Sequence, residues 1–276
     1  MKHGDWPSRQ QLSRYLEERG KLCYGQSFKL QFSPPPSFGK RRRRRLKQES
    51  AEAFAAAQYL ARYETQIFEH HAIPHRLKNW HDLMNAAIWL RFPLSKLELH
   101  RQAYRLYQEE LALLEQSTAN ITHLTGRSRR LDHLTCLDEG GIILLVPSQQ
   151  WDEVCVEVAS RDLLQKGRML ENWQYPLFIF GHGVWEELLA GVTNIQVMTL
   201  LVPWERPELG QTLWSNEDLL QLDRRLAQYL AATIDWSKPQ EAFHMRFTGS
   251  LPLAKYRGIF AENTRQIDNG SSLMMP

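Results

Sequence analysis

The chain has 276 residues, of which 43% are hydrophobic and 24% are charged, and its net charge is +3. These values fit a globular protein with one sizeable core, and they exclude a polycationic chain. The three cysteines have no CxxC spacing, and the apolar runs are too short for a secretory signal or a membrane span. We therefore predict a cytoplasmic protein without a disulfide framework, a cysteine-based zinc site or a membrane segment.

Residues 1–50 are predicted to be a loosely attached arm. The stretch from Phe28 to Phe32 alternates apolar and polar residues as a half-buried strand does, and three prolines then end regular structure. The run Arg41, Arg42, Arg43, Arg44 and Arg45 follows. One interpretation of this run is a solvated linker. The other is an electrostatic contact with nucleic acid or another polyanion, because clustered arginines bind phosphates.

The chain from residue 50 to about residue 115 is predicted to be helical. Apolar residues recur at helical spacing in 50–70 and in 95–115. Between these segments, a short helix within Asn79 to Pro93 contains two tryptophans, a histidine, an aspartate and an asparagine. Its apolar stripe is expected to consist of Trp80, Met84, Ala87 and Ile88, with Trp89 at the edge.

The second half is predicted to be a mixture of strands and helices. Two runs, 131–137 and 142–146, flank a Gly-containing loop and suggest a hairpin. Further strands are predicted at 176–180 and 195–202, and helices at 151–164, at 182–189 and from Ser215 onward. The class is α+β, with a helical first half packed on a small, mainly antiparallel sheet from the second half. We expect one globular domain over 51–262 and a disordered tail over 263–276.

Three polar stretches lie within apolar surroundings and are the candidates for a functional site. The first contains His81, Asp82 and Asn85, and its histidine and asparagine are one helical turn apart. These side chains are interpreted either as the lining of a pocket beside Trp80 or as a buried polar knot between helices. A hydrogen-bonded structural role for His81 is the simpler alternative.

The second stretch contains Arg130 and Asp132 and continues to Asp138 and Glu139. An internal ion pair and a polar turn are its simpler explanations. The third contains His182 and Glu186, again one helical turn apart. Such a pair holds a metal or orients a general base, although two residues alone also fit a surface pair.

The motifs of several other enzyme classes are missing from the sequence. It contains no GxSxG elbow, no glycine-rich phosphate loop and no HExxH. A nucleophilic role for Cys136 beside His133 has no support from the surrounding residues.

The stretch NWHDLMNAAIWLRFP resembles the signature of an uncharacterised proteobacterial domain family, which has a similar WHDxxNAxxWxxFP. The resemblance continues at Lys96, at RLDHLTCLDEG from Arg130, and at FGHGVWE from Phe180, and it covers about residues 60–262. The resemblance implies one folded unit and a set of residues shared with the family. It does not imply a particular reaction, because the family has no established activity. This set comprises Trp80, His81, Asp82, Asn85, Arg130, Asp132, Asp138, Glu139, His182 and Glu186.

The leading hypothesis is that the three polar stretches converge on one pocket walled by Trp80 and Trp89. His81 or His182 would act as general base, and Glu186 with Asp138 or Glu139 would orient it or bind a divalent metal ion. This predicts a hydrolase-like enzyme with Trp80, Arg130 and Asp132 as substrate-binding residues. The substrate would contain phosphate if Arg129 and Arg130 contribute. The alternative is a non-catalytic nucleic-acid-associated or regulatory binding protein that uses the arginine-rich arm, with the polar stretches as internal scaffold.

Overall fold

The structure is a computed structural model that describes residues 6–36, 59–116, 128–160, 173, 175–192, 194–205, 215–232 and 242–248. The chain divides into two compact units, Met1–Leu134 and Thr135–Pro276. The single domain limits of 51–262 stay a prediction.

The described part of the first unit consists of helices around one apolar core, together with a two-stranded parallel sheet. Its helices are α1 (Arg9–Tyr24), α2 (Tyr63–His70), α3 (Trp80–Arg91) and α4 (Pro93–Gln116), and its strands are β1 (Gln31–Ser33) and β2 (Ala72–Pro74). Phe32 of β1 pairs with Ile73 of β2. Both side chains belong to a core that also contains Leu12, Leu16, Phe28, Leu30, Ile67, Ala86, Trp89 and Leu90.

Helix α1 is well defined at both ends. Ser8 and Gln11 form a reciprocal capping box, and Gly25 ends the helix with a φ of 64°. Leu12 and Leu16, one turn apart, are completely buried in the core of the unit. Residues 9–33 of the predicted loose arm are therefore part of this core, because their apolar residues follow helical and then alternating spacing. The alternation predicted for Phe28 to Phe32 is confirmed by the burial of Phe28, Leu30 and Phe32.

Helix α3 has the predicted position, but it buries a different face. The side chain of Asn79 accepts a hydrogen bond from the Asp82 amide at its start, and α4 begins at Pro93, whose missing N–H is not needed there. The buried residues are Leu83, Asn85, Ala86, Ile88, Trp89 and Leu90. The predicted stripe is wrong at Trp80, which is 44% exposed, whereas Trp89 is completely buried. Leu99 and Leu106 of α4 are buried, in agreement with the helical apolar spacing in 95–115.

The second unit contains a four-stranded sheet with the order β4-β3-β5-β6. Helix α5 (Arg129–Gly140) crosses the division between the units and leads directly into β3 (Gly141–Pro147). The remaining elements are α6 (Trp151–Ser160), β4 (Leu177–Ile179), α7 (His182–Leu189), β5 (Asn194–Trp204), α8 (Asn216–Ala232) and β6 (Ala242–Thr248). Strand β3 pairs in parallel with β5 and antiparallel with β4, and β5 pairs antiparallel with β6.

The hairpin predicted around Asp138 and Glu139 is wrong. Residues 129–140 form α5, and the run 142–146 belongs to β3. Leu131, Leu134 and Leu137 are buried and recur every three residues, which is the spacing of one helix face. Only the run after Gly141 is a strand, and it is buried along its whole length.

Helix α8 confirms the helix predicted from Ser215 onward. Ser215 and Asp218 exchange hydrogen bonds through their side chains and backbone amides at 3.0 and 3.1 Å, and Leu219, Leu222, Leu226 and Leu230 are buried. Strand β6 was not predicted, although Phe243, Met245 and Phe247 alternate with polar or small residues.

The predicted α+β class is confirmed. The described residues form eight α-helices, five of which begin in the first half of the chain, and two of the three pairings in the larger sheet are antiparallel. None of the helices in the described ranges is long and apolar enough to cross a bilayer.

Candidate functional site

The pairing of β3 with β4 brings two of the predicted polar stretches together in the second unit. Asp138 and Glu139 lie just before the start of β3, and His182 lies just after the end of β4. Because the strands are antiparallel, the start of one lies beside the end of the other. The backbone amides of Phe180 and Gly181 both donate to the carbonyl of Gly141, at 3.0 and 2.8 Å.

Glycines allow this close approach. A Cβ atom at Gly181 would lie 2.2 Å from the amide nitrogen of Gly141 and 2.6 Å from the carbonyl oxygen of Glu139. A Cβ atom at Gly183 would lie 2.9 Å from the same oxygen. The glycines on both sides of His182 therefore let the first turn of α7 lie against the end of α5.

His182 lies between two carboxylates. Its Nε2 is 3.1 Å from Oε2 of Glu139, within hydrogen-bond distance, and its Nδ1 is 3.9 Å from Oδ2 of Asp138. The imidazole is 2% exposed, the Asp138 side chain 13% and the Glu139 side chain 47%. The buried imidazole thus supports a carboxylate that reaches solvent.

This arrangement supports proton transfer or metal ligation. The buried His182 is within hydrogen-bond distance of the half-exposed Glu139 and can orient it, and the Asp138 carboxylate lies 3.9 Å from the other ring nitrogen. Glu186, the partner predicted from spacing, is exposed on α7, whereas the ring of His182 is buried toward α5.

Arg130 and Asp132 lie on the exposed side of the first turns of α5. An Arg130 Nη1 lies 3.9 Å from an Oε2 of Glu109, and both side chains are largely exposed. Such a pair contributes little to stability. Arg130 and Asp132 belong to the first unit, and a substrate-binding role for them stays a prediction.

In the first unit, Asp82 anchors the chain that precedes α3. Its carboxylate accepts hydrogen bonds from the Arg76 amide at 2.5 Å and from the Arg76 guanidinium at 2.9 and 2.7 Å. Partial burial opposes ionisation of Asp82, but these bonds and the Arg76 charge outweigh it and lower the pKa of the carboxyl. The contacts describe a structural ion pair. His81 is partly exposed in the same turn, and the exposed Trp80 ring meets the edge of Trp6 at 4.8 Å.

Asn85 belongs to a polar network between α2, α3 and α4. Its Nδ2 donates to the hydroxyl of Tyr63 at 2.9 Å, and Nε1 of Trp89 donates to the same oxygen at 3.0 Å. Trp89 therefore lies inside the core and does not wall an open pocket. The His100 ring stacks on Trp89 with a centroid distance of 5.6 Å and lies 4.9 Å from the Tyr63 ring.

Three charged or titratable residues of this network were not among the predicted site residues. Lys96 is completely buried, and its Nζ is 5.6 Å from the centre of the Trp89 ring. Nδ1 of His100 is 3.7 Å from Oε1 of Glu64. The sequence contains a signal for Lys96 and His100, because these two polar residues lie one turn apart on an otherwise apolar helix face.

The family model described as a protein of unknown function (DUF3025) matches residues 50–266, which is more than half of the chain. The chain belongs to the DUF3025 family. This confirms the resemblance to an uncharacterised domain family. The match includes the polar network around Tyr63 and the Asp138, Glu139 and His182 cluster of this DUF3025 chain. No curated protein and no solved structure matches the chain.

The arginine run 41–45 and the tail 263–276 lie outside the described residues. A polyanion contact through the arginines therefore stays a prediction. The same holds for the hypothesis that all three polar stretches share one pocket.

Proposed function

We propose that this DUF3025 protein is a hydrolase-like enzyme whose reacting groups are Glu139 and His182. One observation carries the proposal: Nε2 of a buried histidine lies 3.1 Å from Oε2 of a half-exposed glutamate. A group that transfers protons must reach a bound substrate, and a partner behind it must hold its geometry. Glu139 meets the first requirement and His182 the second.

In this proposal, Glu139 takes a proton from the attacking water and His182 compensates the charge of the carboxylate. The Asp138 carboxylate lies 3.9 Å from the other ring nitrogen, beyond hydrogen-bond distance, and places a negative charge on that side of the ring. This revises the roles predicted from the sequence, in which the histidine itself met the substrate. Because the ring of His182 is buried, it favours the role of supporting partner for His182 and the role of reacting group for Glu139.

A divalent metal ion fits the same pair. Two ligand atoms that each lie about 2.1 Å from one cation are roughly 3.0 to 3.4 Å apart, and the measured separation of Nε2 and Oε2 is 3.1 Å. A ligating histidine commonly has a carboxylate at its other nitrogen, which is the position of Asp138. Such an ion would supply a Lewis acid and a more acidic water. The phosphate-containing substrate and the cytoplasmic location stay predictions.

The metal version is tested by thermal melting of the wild type with Mg²⁺, Mn²⁺ and Zn²⁺. An ion at about one hundred times its Kd stabilises the folded form by about 2.7 kcal/mol, which raises Tm by roughly 5 °C or more. We expect the rise in the wild type and in Glu187→Gln, an exposed carboxylate of the same helix. The rise should be absent in His182→Ala and in Glu139→Gln. No rise with any of the three ions would exclude a metal in this pair.

The acid–base version is tested with p-nitrophenyl phosphate and p-nitrophenyl acetate as general substrates. Loss of a general base typically lowers the rate by about 10² to 10⁴. Glu139→Gln should show this loss while retaining its folded circular dichroism spectrum, and Glu187→Gln should keep the wild-type rate. A rate that is the same in Glu139→Gln as in the wild type would contradict the proposal.

A further inference from the structure

The first unit contains two tyrosines whose hydroxyl groups have opposite hydrogen-bond environments. The oxygen of Tyr63 accepts two N–H donors, from Asn85 at 2.9 Å and from Trp89 at 3.0 Å. The hydroxyl of Tyr104 instead donates to a carboxylate oxygen of Glu69 at 2.8 Å. Both tyrosines are of intermediate exposure, so burial alone does not distinguish them.

These environments have opposite effects on negative charge at the phenol oxygen. Two N–H groups pointing at an oxygen stabilise charge that develops there, as the donors of an oxyanion hole do. A neighbouring carboxylate does the reverse. The hydrogen bond with Tyr59, the loss of hydration and the Glu69 carboxylate raise the pKa of Tyr104 well above its usual range.

We propose that the Tyr63 hydroxyl is a nucleophilic site for acyl electrophiles. The support is geometric: Tyr63 is a residue of intermediate exposure, while the two donors to its hydroxyl belong to Asn85, 8% exposed, and Trp89, completely buried. Donors that are fixed in the core cost no reorganisation when charge develops on the oxygen. This inference concerns the first unit and is independent of the reaction proposed for Glu139 and His182.

Both positively charged and acidic side chains lie around this site, so they have opposite effects on negative charge at the Tyr63 oxygen. The buried Lys96 ammonium lies on the Trp89 ring and favours negative charge nearby. His100 faces Tyr63 from α4 with 4.9 Å between ring centres, and Glu64 follows Tyr63 on α2. Strand β2, which packs against α2, contains no ionisable side chain.

N-acetylimidazole is the acyl electrophile used to test this site. The Tyr63 oxygen attacks the acetyl carbon, a C–O bond forms, and the bond from that carbon to the imidazole nitrogen breaks. The phenolic proton ends on the departing imidazole. The products are O-acetyltyrosine and neutral imidazole, so no oxidant or further reactant is needed.

The experiment treats the full, folded chain with a limiting amount of N-acetylimidazole at pH 7.5 and locates the acetyl groups by peptide mass spectrometry. One extra charge-assisted hydrogen bond corresponds to a rate ratio of about fivefold or more. We expect Tyr63 to react at least about fivefold faster than Tyr104. Equal rates, or a faster reaction at Tyr104, would overturn the proposal without any variant being needed.

A matched pair of variants tests whether the donor is the cause. Asn85→Leu removes one donor from Tyr63, whereas Gln108→Leu removes the N–H donor that contacts the Tyr59 hydroxyl at 2.9 Å. The reaction of Tyr63 should slow in Asn85→Leu and stay unchanged in Gln108→Leu, with circular dichroism confirming that both variants are folded. If Tyr63 reacts equally fast in both, the hydrogen bond from Asn85 does not activate it.

Discussion

The polar groups of the two units are held in different ways. In the first unit, four residues are buried between helices and contact one another or Tyr63: Asn85, Trp89, Lys96 and His100. In the second unit, buried His182 supports a carboxylate that is 47% exposed. Buried side chains arranged around the Tyr63 hydroxyl suit a scaffold. A buried partner behind an exposed acid suits chemistry.

A polar motif within apolar surroundings therefore does not by itself indicate an active site. Asp82 belongs to the most distinctive sequence motif, yet its carboxylate is occupied by three hydrogen bonds from Arg76. Glu139 lies in a less distinctive stretch, and its side chain is 47% exposed. The contrast between a buried scaffold in the first unit and an exposed acid in the second can be tested by substitutions that affect one unit and not the other.

The largest expected effect comes from truncating the buried aromatic residue of the first unit. Trp89→Ala should lower the free energy of unfolding by about 3 to 5 kcal/mol, because it leaves a cavity and removes a donor from Tyr63. Urea denaturation followed by circular dichroism measures this. Trp80→Ala, at a 44% exposed position of the same helix, should cost less than about 1 kcal/mol. Equal costs would mean that the network of the first unit is not a core.

A smaller effect is expected at the glycine that precedes His182. Gly181→Ala adds a Cβ atom 2.2 Å from the Gly141 nitrogen, so the backbone must shift, at a cost of about 1 to 3 kcal/mol. The shift should also separate His182 from Glu139 and abolish any metal-dependent rise in Tm. Gly140→Ala, whose Cβ atom would be at an ordinary 3.8 Å from its nearest neighbour, is the control. A stable Gly181→Ala protein with wild-type melting would show that the close approach is not required.

The smallest effect is a pH dependence that belongs to the first unit. His75 is 2% exposed, and burial lowers its pKa from the ordinary value of 6.5. Nδ1 bonds to the Arg76 carbonyl, which only accepts, so Nε2 carries no proton and protonation would bury a charge. The unfolded chain therefore takes up the proton first. Stability is complete above pH 6.5 and decreases as the pH falls from there toward the lower folded-state pKa.

Unfolding free energies at pH 8 and pH 5, measured for the wild type and for His75→Gln, check this sign. The wild type should lose stability between these values, and the loss should be smaller in His75→Gln. A larger loss in the variant would contradict the assignment to His75.

The sequence predicted those features that depend on neighbours along the chain. Helices α3, α7 and α8 follow from apolar spacing and local capping, for example the exchange of bonds between Ser215 and Asp218. Helix α5 was missed because Leu131 to Leu137 was interpreted as β-capable, although its leucines have a spacing of three. The run lacks the β-branched residues that favour strands, apart from Thr135.

The candidate site depends on contacts that local patterns do not encode. The partner predicted for His182 was Glu186, four residues away, because helical spacing is visible in a sequence. Its observed neighbours Asp138 and Glu139 are brought to it by the antiparallel pairing of β3 and β4, whose paired residues are 33 to 37 positions apart in the sequence. Likewise, the two donors to Tyr63 come from a different helix, so the apolar spacing of residues 50–70 does not identify Tyr63 as part of a polar network.

The buried strand β3 also has a consequence for synthesis of the chain. Ile142 to Val146 are five consecutive apolar residues with both edges covered in the folded sheet, by β4 on one side and by β5 on the other. The parallel partner β5 follows about 50 residues later, which at typical translation rates is a delay of roughly 3 to 10 s. During that interval, the nascent chain presents an uncovered segment of high aggregation propensity. Slower expression at low temperature, or a chaperone that binds short apolar segments, should therefore raise the yield of folded protein.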